Sequence, residues 1–148
     1  MRISAKSRYA LAAISYMAIY DKNKDCFTVI SISEKLGISK IYLEQVFSLL
    51  KRAKLVVSIK GAQGGYRLAK PAIKITVAEV LHAVEQSLFE PVGTSVSHEA
   101  AYIDNAMHAL IWDPLDKAVS ETVGSITVSA LANESEKIKA ENNLMYYI

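Results

Sequence analysis

Residues Ser39–Pro71 read SKIYLEQVFSLLKRAKLVVSIKGAQGGYRLAKP, and their pattern decides the fold. Ser39 is a natural N-cap, because a serine hydroxyl can accept from an orphan amide of the first helical turn. Behind it Leu43, Val46, Phe47 and Leu50 repeat at helical spacing and form one apolar stripe. The other face carries Ile41, Gln45, Ser48 and Arg52, flanked by Glu44 and Lys51. Donors, acceptors and methyl groups on one helix face can read base edges in a major groove. Leu55 to Ile59 is rich in β-branched residues and predicts a strand. Gly61, Gly64 and Gly65 permit a turn with positive φ, and Tyr66 to Leu68 returns as the partner strand. Lys60 and Arg67 charge this hairpin, where phosphates would meet them. A helix with one outward polar face, followed by a basic hairpin, is the arrangement of a winged helix-turn-helix. An ordinary solvated helix would carry charges where Ile41 and Leu49 stand.

The flanking segments extend this unit. Ile3 to Tyr20 reads as a first helix, with Ala10, Ala13, Ile14, Met17 and Ala18 on one face and with Lys6 and Arg8 near its start. After the loop DKNKD, Thr28 caps a short helix over Val29–Leu36, and Gly37 ends it. Only Ile38 and Ser39 separate that glycine from the next helix, so the two helices meet at a steep angle. Beyond Pro71, Thr76 to Glu79 reads as a capping box opening a helix with Val77, Val80, Leu81 and Val84. Gln86 to Ser97 is a loop or hinge. From about Glu99 to Ile126 a wide apolar stripe runs at helical spacing, and Asp113-Pro114 inside it predicts a kink or a break with Asp113 as a new cap. Thr127 caps a short last helix, NESEKIKAENN is polar, and LMYYI ends the sequence apolar. The expected fold is mainly α with a small β-hairpin. Residues 1–87 form the winged helix-turn-helix, and residues 88–148 a dimerisation and effector region with a long helix and a tail.

YLEQ within the helix and GAQGGY in the hairpin carry a close resemblance to the Rrf-two family of bacterial winged-helix transcription regulators. MRISAKSRYALAAISYMA resembles the family's opening helix, and the likeness extends over nearly the whole chain. Three positions depart from the family pattern. Lys60 stands for an arginine before the wing glycine, Lys54 for a glycine at the end of the recognition helix, and Ser7 for a glycine before Arg8. The resemblance implies a homodimer joined through the long helix, which would also cover the wide stripe. It implies binding to double-stranded DNA at an imperfect palindrome, through Arg8, Ile41, Tyr42, Glu44, Gln45, Ser48, Arg52, Lys60 and Arg67. The cluster-binding branch of the family uses three cysteines in the segment matching Gln86 to Met107. None is present here, so neither a cluster nor any other cofactor is expected. The apolar ending resembles that of the cluster-free branch, a repressor of cysteine metabolism that acts with cysteine synthase. Through that likeness Tyr146, Tyr147 and Ile148 are expected to dock into the synthase, with the terminal carboxylate in its substrate pocket. Packing of the same residues on the dimer helices, a protein-binding adaptor role, and a regulator of another redox or small-molecule response remain open as alternatives.

Charge supports the division. Residues 1–75 hold 14 Lys/Arg against 4 Asp/Glu, a net +10, and residues 76–148 hold 3 against 11, a net −8. A basic half suits a polyanion, and an acidic half is kept from it. One cysteine among 148 residues allows no internal disulfide and fits a reducing, cytoplasmic setting; no apolar run is long enough to span a bilayer. Cys26, with Lys22 and Lys24 nearby, reads either as a redox-reactive thiol or as a small apolar residue beside Phe27. Asp104 and His108 share a helix face, but a metal needs a further ligand and His98 would have to fold back to supply it. No catalytic constellation is present, and Gly61-Ala-Gln-Gly-Gly lacks the Lys-Ser/Thr of a phosphate loop, so an enzyme is not expected.

Overall fold

The computed structural model describes residues 2–146. The first helix, α1 (Ala5–Tyr20), starts where the Ser4 hydroxyl accepts from the Ser7 amide at 3.1 Å. Its small residues Ala10 and Ala13 are fully buried beside Ile14 and Met17, which lets other helices approach closely. α2 (Val29–Leu36) is capped by Thr28, whose hydroxyl accepts from Ser31 N–H at 3.1 Å. Gly37 closes it in the left-handed region at φ 65°, donating to the Ser33 carbonyl. α3 (Lys40–Arg52) follows, with Leu43, Val46, Phe47 and Leu50 buried. Ser39 occupies its N-cap position, but its hydroxyl makes no cap hydrogen bond; the helix is fixed by its buried stripe.

The wing is the antiparallel pair β1 (Val56–Ile59) and β2 (Gly65–Leu68), with Val57 opposite Arg67 and Ser58 opposite Tyr66. Phe27 adds a third lane, exchanging two 2.7 Å backbone hydrogen bonds with Tyr66. Gly65 is required there: its φ is 151°, and an added Cβ would lie 2.5 Å from the Phe27 carbonyl oxygen. Tyr66 then stacks on Phe47, ring centres 4.7 Å apart, which binds the wing to α3.

α4 (Val77–Val84) opens with the full capping box, Glu79 N–H on the Thr76 hydroxyl and Thr76 N–H on the Glu79 carboxylate. It packs on α1 and α3. Single 3₁₀ turns cover Ala72–Lys74, Gln86–Phe89 and His98–Ala100. The long helix runs as α5 (Ala101–Met107), a π-helical turn over His108–Trp112, and α6 (Asp113–Ser125). Of the two alternatives expected at Pro114, a kink or a break with Asp113 as a new cap, the break is absent. Trp112 and Asp113 keep right-handed helical dihedrals, and the Asp113 amide donates to the His108 carbonyl five residues back. Widening one turn gives the proline ring room while the helix continues.

The last helix is the largest departure from expectation. Thr127 does cap it, accepting from Ala130 N–H at 3.0 Å, but α7 extends over Val128–Tyr146 and takes in the polar run. It returns against α1, with Val128 and Ala132 buried. Two 2.8 Å bonds, Val77 N–H to Ile126 O and Val128 N–H to Ile75 O, clip this return to the start of α4. The core of the winged helix is therefore closed by residues well beyond position 87.

Candidate nucleic-acid interface

α3 is held from behind by Phe47 and its apolar neighbours, so its other face is turned outward. Ile41, an isoleucine with 69% of its surface exposed, stands on that face. Ile41, Glu44, Gln45 and Ser48 line one shallow groove together with Lys6 of α1. Lys6 thus brings a cation from the first helix to the edge of the recognition surface. Lys40 and Glu44 form an exposed ion pair at 3.6 Å, one turn apart. Such a pair contributes little to stability, so the Glu44 carboxylate stays free to exchange its partner.

The other expected residues occupy distinct places. Tyr42 leaves the groove and sets its ring edge-on against Tyr9 of α1, centres 5.5 Å apart. Tyr9 gave no signal in the sequence beyond its helical position. Arg8 is exposed in the first turns of α1. Lys60 is exposed at the wing tip, next to Gly61 at φ 116°. Arg52 lines a hollow at the end of α3, with Leu49, Leu55, Glu79, His82 and Gln86. Arg67 lies elsewhere: it lines a hollow on the side of the wing away from Phe47, with Asp21 and Lys24.

The start of α1 is anchored from α4. Glu85 accepts from the Ser4 hydroxyl at 3.0 Å and from the hydroxyl of the fully buried Ser7. The Ser7 hydrogen bond, aided by Ser4, holds the Glu85 carboxyl below its ordinary range against the opposing effect of burial. The serine that stands for a family glycine at position 7 thus serves as a hydrogen-bond donor between two helices. At the far end of α4 the Lys70 ammonium, 2.7 Å from Glu79, and the Thr76 amide likewise lower the Glu79 carboxyl.

Cys26 is half-buried in the loop before Phe27. Asp104 and His108 turn to different partners. Asp104 is buried and accepts from the Ser95 amide at 3.1 Å and from Val96 at 3.4 Å, and His108 Nδ1 lies 3.0 Å from Asp113. Of the tail residues, Tyr146 ends α7 with 91% of its surface exposed. Tyr147 and Ile148 lie outside the described residues.

Comparison with known proteins agrees with this architecture. A family model described as "Rrf2: Iron-dependent Transcriptional regulator" matches residues 3–134. Iron is not matched by the donors present: the lone Cys26 lies in the wing-side loop, and no three His, Cys, Asp or Glu side chains among the described residues group as metal ligands. The HTH-type transcriptional regulator IscR of Vibrio atlanticus is 34% identical over 142 residues, covering 94% of this chain and 79% of its own. Among solved structures, CymR (YrzC), titled the global cysteine regulator of B. subtilis, superposes with a TM-score of 0.75 at 31% identity, over 90% of this chain and 98% of its own. The IscR of T. potens gives a TM-score of 0.72 at 28% identity, over 93% and 90%. From the winged-helix architecture, the family match over residues 3–134 and this degree of identity, the chain belongs to the Rrf2 family of transcriptional regulators.

Proposed function

We propose that the protein is a homodimeric repressor that binds an imperfect palindrome in double-stranded DNA and controls genes of cysteine and sulfur metabolism. The observation that carries DNA reading is the groove where Ile41, Glu44, Gln45 and Ser48 meet Lys6 on the free face of α3. Gln45 supplies a donor and an acceptor for a base edge, Glu44 accepts from a cytosine amine or repels other bases, and Ile41 meets a thymine methyl. Arg8, Lys60 and Arg52 supply phosphate contacts around it. Likeness to a structure titled as a global cysteine regulator, together with the absence of cluster ligands, favours the cysteine branch of the family.

Capture of bound genomic DNA, followed by titration of the recovered site, tests the reading. The recovered site should be bound at least about a thousandfold more tightly than random DNA at about 150 mM salt. Lys60→Ala should weaken all sequences alike, whereas Gln45→Ala should change the preferred bases. Equal affinity for the site and for random DNA would remove the claim. The tail forms a separate part of the proposal. Leu144, Met145 and Tyr146 are exposed at the end of α7, and we propose that they and the following Tyr147 and Ile148 dock on cysteine synthase. Calorimetry of the synthase with full-length protein and with a chain ending at Asn143 decides it: only the full-length chain should bind.

A further inference from the structure

The hollow behind the wing is lined by charged side chains of both signs. It measures about 490 Å³ and lies between the end of α1, the loop after it, both wing strands and the Pro71 turn. Its polar lining is Asp21, Lys24, Arg67 and Lys70, and its apolar wall includes Ala18 and Val57. Lys70 is already committed to Glu79 at 2.7 Å. Lys24 and Arg67 make no ion pair among the described residues. Asp21 Oδ1 is buried and has no hydrogen-bond partner, the one such side-chain atom among the described residues. With no accessible surface that oxygen is sealed from the hollow, and the carboxylate can be met there only through its other oxygen. Lys24 is held at φ 55°, a left-handed conformation a lysine adopts rarely, on the rim of the same hollow.

The cavity is in the size range of small-metabolite sites. Its free groups are one carboxylate and two cations on an apolar wall, which is the complement of a zwitterion with a short side chain. We propose that this hollow is an effector site for a free α-amino acid. The ligand ammonium would pair with Asp21 through that other oxygen, and its carboxylate would lie between Lys24 and Arg67. The assignment goes beyond the DNA-binding role, since it adds a ligand site away from the recognition groove, and it gives Arg67 a different task from phosphate contact. The route to DNA is short. Arg67 and Tyr66 are consecutive in β2 and point to opposite faces. Tyr66 stacks on Phe47 of the recognition helix at 4.7 Å. A ligand that pulls on Arg67 therefore acts on the strand that supports α3.

Binding is measured on the full-length protein without DNA, so failure of the DNA assignment cannot be mistaken for failure of this one. Glycine, L-alanine, L-serine and L-glutamine are titrated by calorimetry up to about 10 mM, with acetate and ethylammonium as the two halves of the probe. At least one amino acid should bind saturably, and each half at least about tenfold more weakly. Asp21→Asn and Arg67→Gln should each weaken the bound amino acid by at least about tenfold, with Lys24→Ala as the second cation variant and circular dichroism as the check of folding. No binding by any of the four amino acids, affinity unchanged in the folded variants, or acetate binding as tightly as the amino acid would each overturn the proposal.

Discussion

The winged-helix head and the α5–α6 arm bury apolar residues to opposite extents. In the head, Ile14, Met17, Leu43 and Phe47 are fully buried, and α1, α3, α4 and the returning α7 close around them. In the arm, α6 buries no residue, and the one residue α5 buries is Asp104. Tyr102 keeps 72% of its surface and Leu110 80%. Exposed apolar stripes of that size often mark interaction surfaces, which accords with the proposed homodimer. The head derives its stability from within the chain, and the arm leaves an apolar stripe that the proposed homodimer would cover.

The most damaging way to probe the difference is to open the head. Phe47→Ala removes a fully buried ring that also carries the wing through Tyr66. The expected loss is about 3–5 kcal/mol, read as a shift of the urea midpoint at constant slope. A loss under about 1 kcal/mol would mean that the head relaxes around the cavity and is not the rigid partner in this comparison. The arm should answer differently. Leu110→Glu puts a charge at the most exposed large apolar position of α5–α6 and should raise the dimer dissociation constant by about 100-fold or more. Sedimentation velocity would show the monomer, with circular dichroism unchanged. A wild-type mass for the variant would place the dimer contact elsewhere.

Which parts were legible in the sequence follows from the same contrast. α1, α3 and α4 announce themselves because a one-sided core imposes a 3.6-residue apolar period. α7 did so only at its start, where Thr127 caps it, because Val128 and Ala132 anchor that end and the polar run beyond them carries no stripe. It holds to the head at long range, as in the 3.2 Å contact from Lys139 to the Tyr20 hydroxyl. Pro114 left a kink or a break open because the sequence does not show which turn will widen to admit the ring. The placement of Arg67 on the wing face opposite Tyr66 was available from strand alternation. The hollow at Asp21 was not available, since it joins the end of α1 to strands more than thirty residues later.

Acid should loosen the head at its two clipped carboxylates before it affects the arm. Lys70 and the Thr76 amide lower the Glu79 carboxyl, and the Ser7 and Ser4 hydroxyls lower Glu85, each from an ordinary value of 4.5. A carboxyl lowered in the folded state contributes stability above its unfolded value, and that contribution is lost as pH falls through the folded value. The melting temperature should therefore be flat from neutrality to about pH 5 and drop below it. Glu79→Gln and Glu85→Gln should each flatten the drop. If the double variant keeps the full acid dependence, the sensitivity lies with other carboxylates.

The smallest expected effect tests where the head carries strain of its own. Lys54 follows α3 at φ 61°, its amide donating to the Lys51 carbonyl at 2.9 Å while Leu55 N–H returns to Leu50 O at 3.0 Å. This is a left-handed helix stop, the geometry Gly37 adopts at φ 65° after α2. Left-handed backbone costs an L-residue with a Cβ about 1 kcal/mol relative to glycine, and the greater freedom of glycine in the unfolded chain returns part of it. Lys54→Gly should therefore stabilise the protein by about 0.5 kcal/mol and raise the melting temperature by about 1–2 °C. Gly37→Ala, the reverse change at the matching stop, should lower it by a similar amount. DNA titrations at several salt concentrations separate backbone strain from charge. If Lys54 meets a phosphate, the variant loses about one unit of salt slope although it is more stable. If the slope is unchanged, the lysine is a conformational cost that the buried stripe of α3 and the Phe47–Tyr66 stack are strong enough to impose.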